Sequence, residues 1–415
     1  MKNLTLFKSS LVALALASTS SVFAQSIAIT NATVHTVTEQ GVLENATVIM
    51  DNGVITAINP DSVMADTIID AKGKILTPGL IGSMNQLGLV EVSAVSRTRD
   101  AGDKKADITF DPSIAFNPKS TLIPYSRKGG ITTNVVVPSG GDSMFKGQAF
   151  VADLSGSFNS IVEKGSAVII DLGAKSRGSR ALELQKLRVK LDDAKQALTK
   201  AKKDAKDKKA KEPKRDAKVI NALLAGKLPL VAYVQRATDI LELINIKKEF
   251  GVNIVLAGAA DAVRITEQLA QADIPVIVNA MENLPGSFDS LHSSLENAAK
   301  LKKAGVKVIL TVSGDTHNLY QLRFDTGVAV ANGLEKADAL AAVTANVADV
   351  FSFDAGRIAV GKKADVVLWS ADPFELSTKV NKMWINGEEV STRSRQDALR
   401  DRYTTPSDMP RAYTK

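Results

Sequence analysis

Short apolar runs separated by turn sequences mark both ends of the chain. Near the N terminus, residues 27–29, 46–50, 54–58 and 67–69 have this character, and the Asp-Asn-Gly sequence at 51–53 is a strong hairpin signal. Residues 365–369 and 383–385 repeat the pattern near the C terminus. The pattern predicts that the two β-rich ends fold together into one small β domain.

Between these ends, apolar runs alternate with helical stretches. Eight runs have strand character: residues 75–81, 131–137, 149–154, 167–171, 229–234, 253–257, 274–278 and 306–312. Helical periodicity is clearest over residues 237–250, 261–272 and 289–304. Such alternation is typical of a parallel sheet with crossover helices, and eight is the strand number of the (β/α)8 barrel. The sequence therefore predicts an α/β protein with a TIM-type barrel over residues 75–356. Residues 25–74 and 357–392 are expected to form a small composite β-sandwich.

One segment between the fourth and fifth runs lacks strand character. Leu184, Leu187 and Leu191 recur at spacings of three and four, which predicts an amphipathic helix. Residues 195–218 contain 11 of the 52 basic residues and 4 of the 45 acidic ones, so the net charge of +7 resides in this run. We expect a helical basic insertion over residues 180–215 with a solvated face, and anion binding is the alternative. Because no aromatic side chains are interleaved, the run does not predict nucleic-acid binding.

The first 24 residues have the pattern of a secretory signal peptide. Lys2 and Lys8 precede a short apolar stretch, residues 11–17, and Ala24 supplies the small residue at the cleavage position. The stretch is well short of the roughly 20 residues needed to span a bilayer, so no stable membrane insertion is expected. We predict cleavage after Ala24 and a periplasmic or secreted protein. Residues 393–415 are expected to be a polar tail.

The inventory of metal-binding side chains is small. The chain has no cysteine, and its 3 histidines are His35, His292 and His317. Disulfides and cysteine-based metal sites are therefore excluded, and a histidine-rich metal cluster is nearly so.

Several sequence motifs point to a family. Residues 74–88 read KILTPGLIGSMNQLG, and residues 127–133 read RKGGITT. Residues 344–348 read TANVA, and residues 356–367 read GRIAVGKKADVV. These segments resemble, in order, the motifs PG-[LF]-I-D-x-H-x-H, R-x-x-G-[VI]-T-T, T-x-N-P-A and G-x-I-x-x-G-K-x-A-D-[LF]-V of the amidohydrolase superfamily. The resemblance is to its imidazolonepropionase-like and prolidase-like members.

The resemblance implies a (β/α)8 barrel whose bound metal activates water to hydrolyse amide or other C–N bonds. The family's metal ligands are two histidines after strand one, one each after strands five and six, and an aspartate after strand eight. Many members add a lysine or glutamate after strand four. In this sequence the nearest candidate for that position is Lys175.

Most of the implied ligand positions lack histidine here. The strand-one pair falls on Met84 and Gln86, the strand-five histidine on Gln235, and the strand-six histidine near Ala257 or Gly258. Thioether and amide groups do not replace imidazole for zinc. We therefore expect no metal cofactor, with zinc only if the degenerate site is still used.

The candidate site residues follow from this comparison. Asp315 retains the strand-eight aspartate and His317 lies two residues on, so both are candidate catalytic residues. The alternatives are that Asp315 caps a helix and that His317 contacts the backbone. Gln86, Gln235 and Arg236 are candidate substrate-binding residues, although the two glutamines could instead hydrogen-bond across the former metal cavity.

Three functions stay open at this point. The first is an exported hydrolase of amide or cyclic-amide bonds whose activity is lost or metal-free. The second is a non-catalytic protein that binds a small amide or peptide-like ligand. The third is a pseudo-enzyme subunit that pairs with a histidine-complete homologue, and a homo-oligomer is also possible.

Overall fold

A computed structural model describes residues 26–172, 179–204, 212–312 and 314–405. Its strands are β1 (Ile27–His35), β2 (Val42–Asp51), β3 (Val54–Ile58), β4 (Thr67–Asp70), β5 (Ile75–Pro78), β6 (Leu80–Asn85), β7 (Ile131–Val136), β8 (Phe145–Asp153), β9 (Ile161–Asp171), β10 (Leu230–Val234), β11 (Ile254–Gly258), β12 (Val276–Asn279), β13 (Val308–Thr311), β14 (Val366–Trp369), β15 (Val380–Ile385) and β16 (Glu388–Glu389). Its α-helices are α1 (Leu122–Arg127), α2 (Arg180–Asp204), α3 (Arg215–Leu224), α4 (Ala237–Phe250), α5 (Thr266–Gln271), α6 (Asn297–Lys303), α7 (Leu322–Ala331), α8 (Lys336–Ala342), α9 (Ala345–Phe351) and α10 (Arg395–Thr404).

The two chain ends form one mixed eight-stranded sheet, as the sequence predicts. Its order is β16-β15-β14-β5-β1-β2-β3, with β4 beside β1. The antiparallel pair β5–β14 joins the N-terminal and C-terminal strands. The Ala364 N–H donates to the Gly53 carbonyl at 2.9 Å, so the turn after β2 lies against the segment before β14. The ends thus share one apolar core, to which Met50, Leu76 and Trp384 contribute.

The middle of the chain forms a nearly closed eight-stranded barrel, in the order β6 to β13. The Thr311 hydroxyl donates to the Ser83 carbonyl at 2.7 Å, which connects the last strand to the first. Ile81, Val231 and Ile309 belong to the apolar cluster inside the barrel. All eight apolar runs predicted from the sequence contribute a strand to this barrel, which confirms the fold class.

The strict alternation of strands and helices is wrong at one place. Strand β8 runs antiparallel to both β7 and β9. The connections between these strands, residues 137–144 and 154–160, are shorter than the dozen or more residues that a parallel crossover needs. A hairpin is therefore the geometry available to this part of the chain.

The first predicted run, residues 75–81, is divided between the two sheets. Residues Ile75–Pro78 pair in the sheet formed by the two chain ends, which we call the end sheet, and the barrel strand begins at Leu80. Gly79 lies between them, where an added Cβ would approach the Thr132 hydroxyl to 2.1 Å. Glycine is the residue that permits this close passage from one sheet to the other.

The helices agree with the sequence to different degrees. Helix α4 has the predicted bounds, whereas residues 261–272 form a 3-10 helix, Ala260–Arg264, followed by α5. The predicted helix over residues 289–304 is wrong for its first half, because the only α-helix in this range is α6, which begins at Asn297.

The predicted insertion, residues 180–215, contains α2 and ends where α3 begins, and Leu184, Leu187 and Leu191 are buried against the barrel. Residues 205–211, the predicted signal peptide and the last ten residues of the predicted tail lie outside the described residues. Within the described ranges, no helix combines the length and the hydropathy required to cross a bilayer.

Candidate functional site

A cavity of about 450 Å³ opens at the carboxyl ends of the parallel barrel strands. We call it the mouth cavity. Met84 and Gln86 lie at the end of β6, Asp171 ends β9, and Tyr233 and Gln235 lie at the end of β10. Active sites of such barrels are built at this face, so the mouth cavity is the candidate functional site.

A local distortion at the end of β6 positions the residues that replace the histidine pair. The register of β6 against β7 shifts between Gly82 and Asn85, and Met84 has a φ of +59°. Asn85 and Asn134 exchange side-chain hydrogen bonds of 2.7 and 2.9 Å, which fix the strand end. Met84 packs on the apolar interior cluster, and the Gln86 amide has no hydrogen-bond partner among the described residues.

Gln235, at the position implied for the strand-five histidine, packs against Gly258, one of the two positions near which the strand-six histidine is implied. The Gln235 Oε1 accepts the backbone N–H of Ala260 at 3.0 Å. Gly258 has a φ of +82°, and a Cβ there would lie 2.7 Å from the Gln235 Nε2. A histidine at position 258 would therefore collide with the Gln235 side chain unless that side chain moved.

Two further polar residues, which no sequence motif singles out, line the cavity beside Gln235. Tyr233 pairs in register with Asp171 on the neighbouring parallel strand. Burial, and secondly the charge of Asp171, raise the pKa of the Tyr233 hydroxyl, so the phenol stays protonated. Strand periodicity contained the signal, because Tyr233 precedes Gln235 by two and Asp171 ends the fourth run.

A lysine on the antiparallel strand completes one wall of the cavity. The Lys146 ammonium donates to the carbonyl oxygens of Gly141 and Ser143, both at 3.0 Å. Because Lys146 lines the cavity, its positive charge lies near the space that a catalytic metal would occupy and disfavours a second cation there. No sequence pattern singles out this lysine, because it reaches the cavity only through the antiparallel direction of β8.

Arg236 follows the cavity residue Gln235 but is not part of the described cavity lining, and its guanidinium is engaged by the protein itself. Its Nε donates to the Asp289 carboxylate at 2.5 Å, and the Arg180 Nη1 donates to the other oxygen of that carboxylate at 3.0 Å. Arg180 also forms an ion pair with Asp239. This group therefore fastens the segment that contains Asp289 to the insertion and to the start of α4.

The two candidate catalytic residues are placed elsewhere. Asp315 is exposed and accepts a hydrogen bond of 2.6 Å from the Ser93 hydroxyl. It precedes a 3-10 helix, Thr316–Gln321, without a side-chain cap bond, and His317 in that helix is exposed. Neither residue contributes to the described lining of the mouth cavity. Of the positions implied by the family motifs, Met84, Gln86 and Gln235 do line this cavity together.

The donors of the mouth cavity do not fit the divalent metal that the resemblance implies. They are a thioether, two amides, a protonated phenol, two serine hydroxyls, an ammonium group and the carboxylates of Asp171 and Asp289, the second of which is already bound by two arginines. The histidines are dispersed, since His35 ends β1 and the His292 Nδ1 lies 2.6 Å from the Asp261 carboxylate. Across the described ranges, no three His, Asp or Glu side chains converge as a metal group would require. Lys175 lies outside the described residues.

Comparison with known proteins identifies relatives of this architecture. The model of the amidohydrolase family matches residues 205–390. An amidohydrolase from Thermotoga maritima is similar over 88% of this chain and 99% of its own, with a TM-score of 0.80 and 27% identity. No curated protein sequence matches.

More distant solved structures share the fold. A β-aspartyl dipeptidase from Fervidobacterium islandicum, in complex with a β-Asp-Leu dipeptide, has a TM-score of 0.55 at 16% identity and covers 88% of this chain and 96% of its own. A prolidase complexed with N-methylphosphonate-L-proline has a TM-score of 0.54 at 15% identity, and the coverage is 88% and 99%. The family match, the Thermotoga relative and the quoted motifs therefore agree in pointing to the amidohydrolase superfamily as the group that this chain resembles.

Proposed function

We propose that this protein is an exported amidohydrolase-superfamily member that binds a small amide or peptide-like molecule in its mouth cavity and no longer uses a metal to hydrolyse it. The observation that carries this proposal is the packing of Gln235 against Gly258, beside Met84 and Gln86. Four positions that would hold histidines therefore present amide, thioether and glycine groups.

The cavity suits a ligand that has both hydrogen-bond donors and acceptors. Its volume of about 450 Å³ falls in the range of small-molecule sites. The Gln86 amide can donate and accept, and the Gln235 Nε2 can still donate, because only its Oε1 is committed to the backbone. A carbonyl next to an N–H group, as in an amide or peptide, matches this set.

Binding and chemistry are tested in one experiment. N-acetyl-L-leucinamide is titrated by calorimetry into protein treated with a chelator, and the recovered ligand is then examined for hydrolysis. We expect binding without turnover, and Gln86→Leu should weaken the affinity about tenfold because a buried polar contact is lost. The matched control is Gln268→Leu, on the exposed face of α5, which should bind as the parent protein does.

Two results would contradict the proposal. The first is turnover of the amide that appears on addition of zinc and disappears with the chelator. The second is the absence of binding to the parent protein.

Export and cleavage after Ala24 remain predictions, tested by N-terminal sequencing of the protein recovered from the periplasm. Pairing with a histidine-complete homologue is likewise untested, and light scattering with co-purification from the native host would reveal it.

A further inference from the structure

One segment of the cavity's edge exposes an unusual number of large apolar side chains. We call residues 281–291, which follow β12, the rim segment. Met281, Leu284, Phe288 and Leu291 are all exposed, and Leu284 and Phe288 retain 81% and 88% of their accessible surface. A concentration of exposed apolar side chains in one segment beside a cavity is typical of a surface that becomes covered in function.

The rim segment is continuous with the mouth cavity. Ser287 and Asp289 both line the cavity, so Phe288 is flanked on each side by a cavity residue. The Ser287 backbone N–H donates to the Ser290 hydroxyl at 3.1 Å, and the Ser290 N–H donates back to the Ser287 carbonyl at 3.1 Å. Phe288 therefore lies on a small, internally bonded turn at the cavity's edge.

The turn is held in place although its apolar side chains are free. The Asp289 carboxylate is bound by Arg180 and Arg236, at 3.0 and 2.5 Å. Beyond the turn, His292 is bonded to Asp261 at 2.6 Å. Because the backbone is fixed at these points, Phe288 does not gain a covered position by a simple collapse of the loop.

From this arrangement we propose that the rim segment forms an apolar subsite, in which Phe288 and Leu284 contact a hydrophobic group of the ligand whose amide is bound by Gln86 and Gln235. The ligand class is thereby narrowed to an amide or peptide-like molecule that carries an apolar side chain. This inference rests on the proposed function. The rim segment could instead be covered by a second protein surface, and the experiment distinguishes that occupant from a ligand side chain.

The experiment compares two probes that differ only in the apolar group. N-acetyl-L-leucinamide and N-acetylglycinamide are titrated by calorimetry into the parent protein and into Phe288→Ala. We expect Phe288→Ala to weaken the affinity for N-acetyl-L-leucinamide about tenfold, because this probe buries its apolar side chain against Phe288. The affinity for N-acetylglycinamide should not change, because that probe has no apolar side chain to bury there. Phe158→Ala is the matched control, because Phe158 is 80% exposed and does not line the mouth cavity.

A second variant reports on the subsite directly. Trp369 and Trp384, the two tryptophans of the chain, are both buried, so Phe288→Trp introduces an exposed indole with distinct emission. Leucinamide should shift this emission to the blue and protect it from acrylamide, and the emission should not depend on protein concentration.

The outcomes distinguish the two proposals. Binding of leucinamide that is equally strong in Phe288→Ala overturns the apolar subsite and leaves the proposed function intact. A blue shift of the Phe288→Trp emission that follows protein concentration overturns it in favour of a protein surface. If neither probe binds the parent protein, both proposals fail together.

Discussion

A buried carboxylate directly before β14 gives the sharpest test of how burial of charge affects the free energy of unfolding. Asp365 is 3% exposed, and its Oδ1 accepts the backbone N–H of Asn386 at 2.6 Å, whereas its Oδ2 has no hydrogen-bond partner among the described residues. Burial raises the pKa of Asp365 from the ordinary 3.8 to about 6, and the Asn386 N–H and Lys363 offset part of this shift.

The sign and size of the effect follow from linkage. Because the folded-state pKa is the higher one, the folded protein binds this proton more tightly than the unfolded chain does. The resulting stabilisation is complete below pH ~4 and is lost as the pH rises through about 6. Above that pH the ionised Asp365 costs about 3 kcal/mol of folding free energy, at 1.36 kcal/mol per pKa unit.

Asp365→Asn removes this cost and retains an acceptor for the Asn386 N–H. We expect the free energy of unfolding in urea to rise by up to about 3 kcal/mol at pH 7.5 and to change little at pH 4. The control is Asp61→Asn, which removes the same charge from an exposed position and should have no effect at either pH. Destabilisation of Asp365→Asn at pH 7.5, or an equal change at both pH values, would refute the reasoning.

Two other variants test the site and the packing. Replacing Met84, Gln86 and Gln235 together by histidine restores three imidazoles at the barrel mouth, and equilibrium dialysis should then detect one zinc ion per chain where the parent protein has none. Gly130→Ala places a methyl group 2.1 Å from the Trp369 ring at a φ of +77°, and urea unfolding should show a loss of about 3 kcal/mol.

Each of these variants has a control. Gln268→His adds one imidazole on an exposed helix and should not retain zinc through dialysis. Gly41→Ala has a similar φ of +65° with no atom within 4 Å of the new methyl group, so it should lose only the backbone cost of about 1 kcal/mol. Zinc retained equally by Gln268→His, or an equal loss in both glycine variants, would contradict the two explanations.

The architecture was accessible from the sequence because it depends on local pattern and chain order. Apolar runs and turn signals predicted the strands of both sheets, and residues 74–88 together with residues 356–367 showed the resemblance to the amidohydrolase superfamily. The direction of β8 was not predicted, although the short connections on either side of it exclude a parallel crossover. The lengths of these connections therefore indicate the direction of β8, whereas the number of apolar runs does not.

The site was less accessible because it depends on register and on long-range packing. The motifs put Gln86 and Gln235 at strand ends of the barrel, and both residues line the mouth cavity, whereas their predicted role in substrate binding stays a prediction. The contact between Gln235 and Gly258, and the entry of Lys146 from an antiparallel strand, require knowledge of which strands are neighbours. Asp289 was expected within a helix, whereas the structure places it beneath two arginines at the cavity's edge.

The most direct test of the central claim is the metal content of the purified protein after dialysis against zinc and then against buffer. The claim is that the mouth cavity, with amide, thioether and glycine groups at the histidine positions, does not hold a catalytic metal. The account predicts far less than one zinc ion per chain by elemental analysis. One tightly retained ion per chain, lost when Gln86 and Gln235 are replaced by leucine, would contradict it.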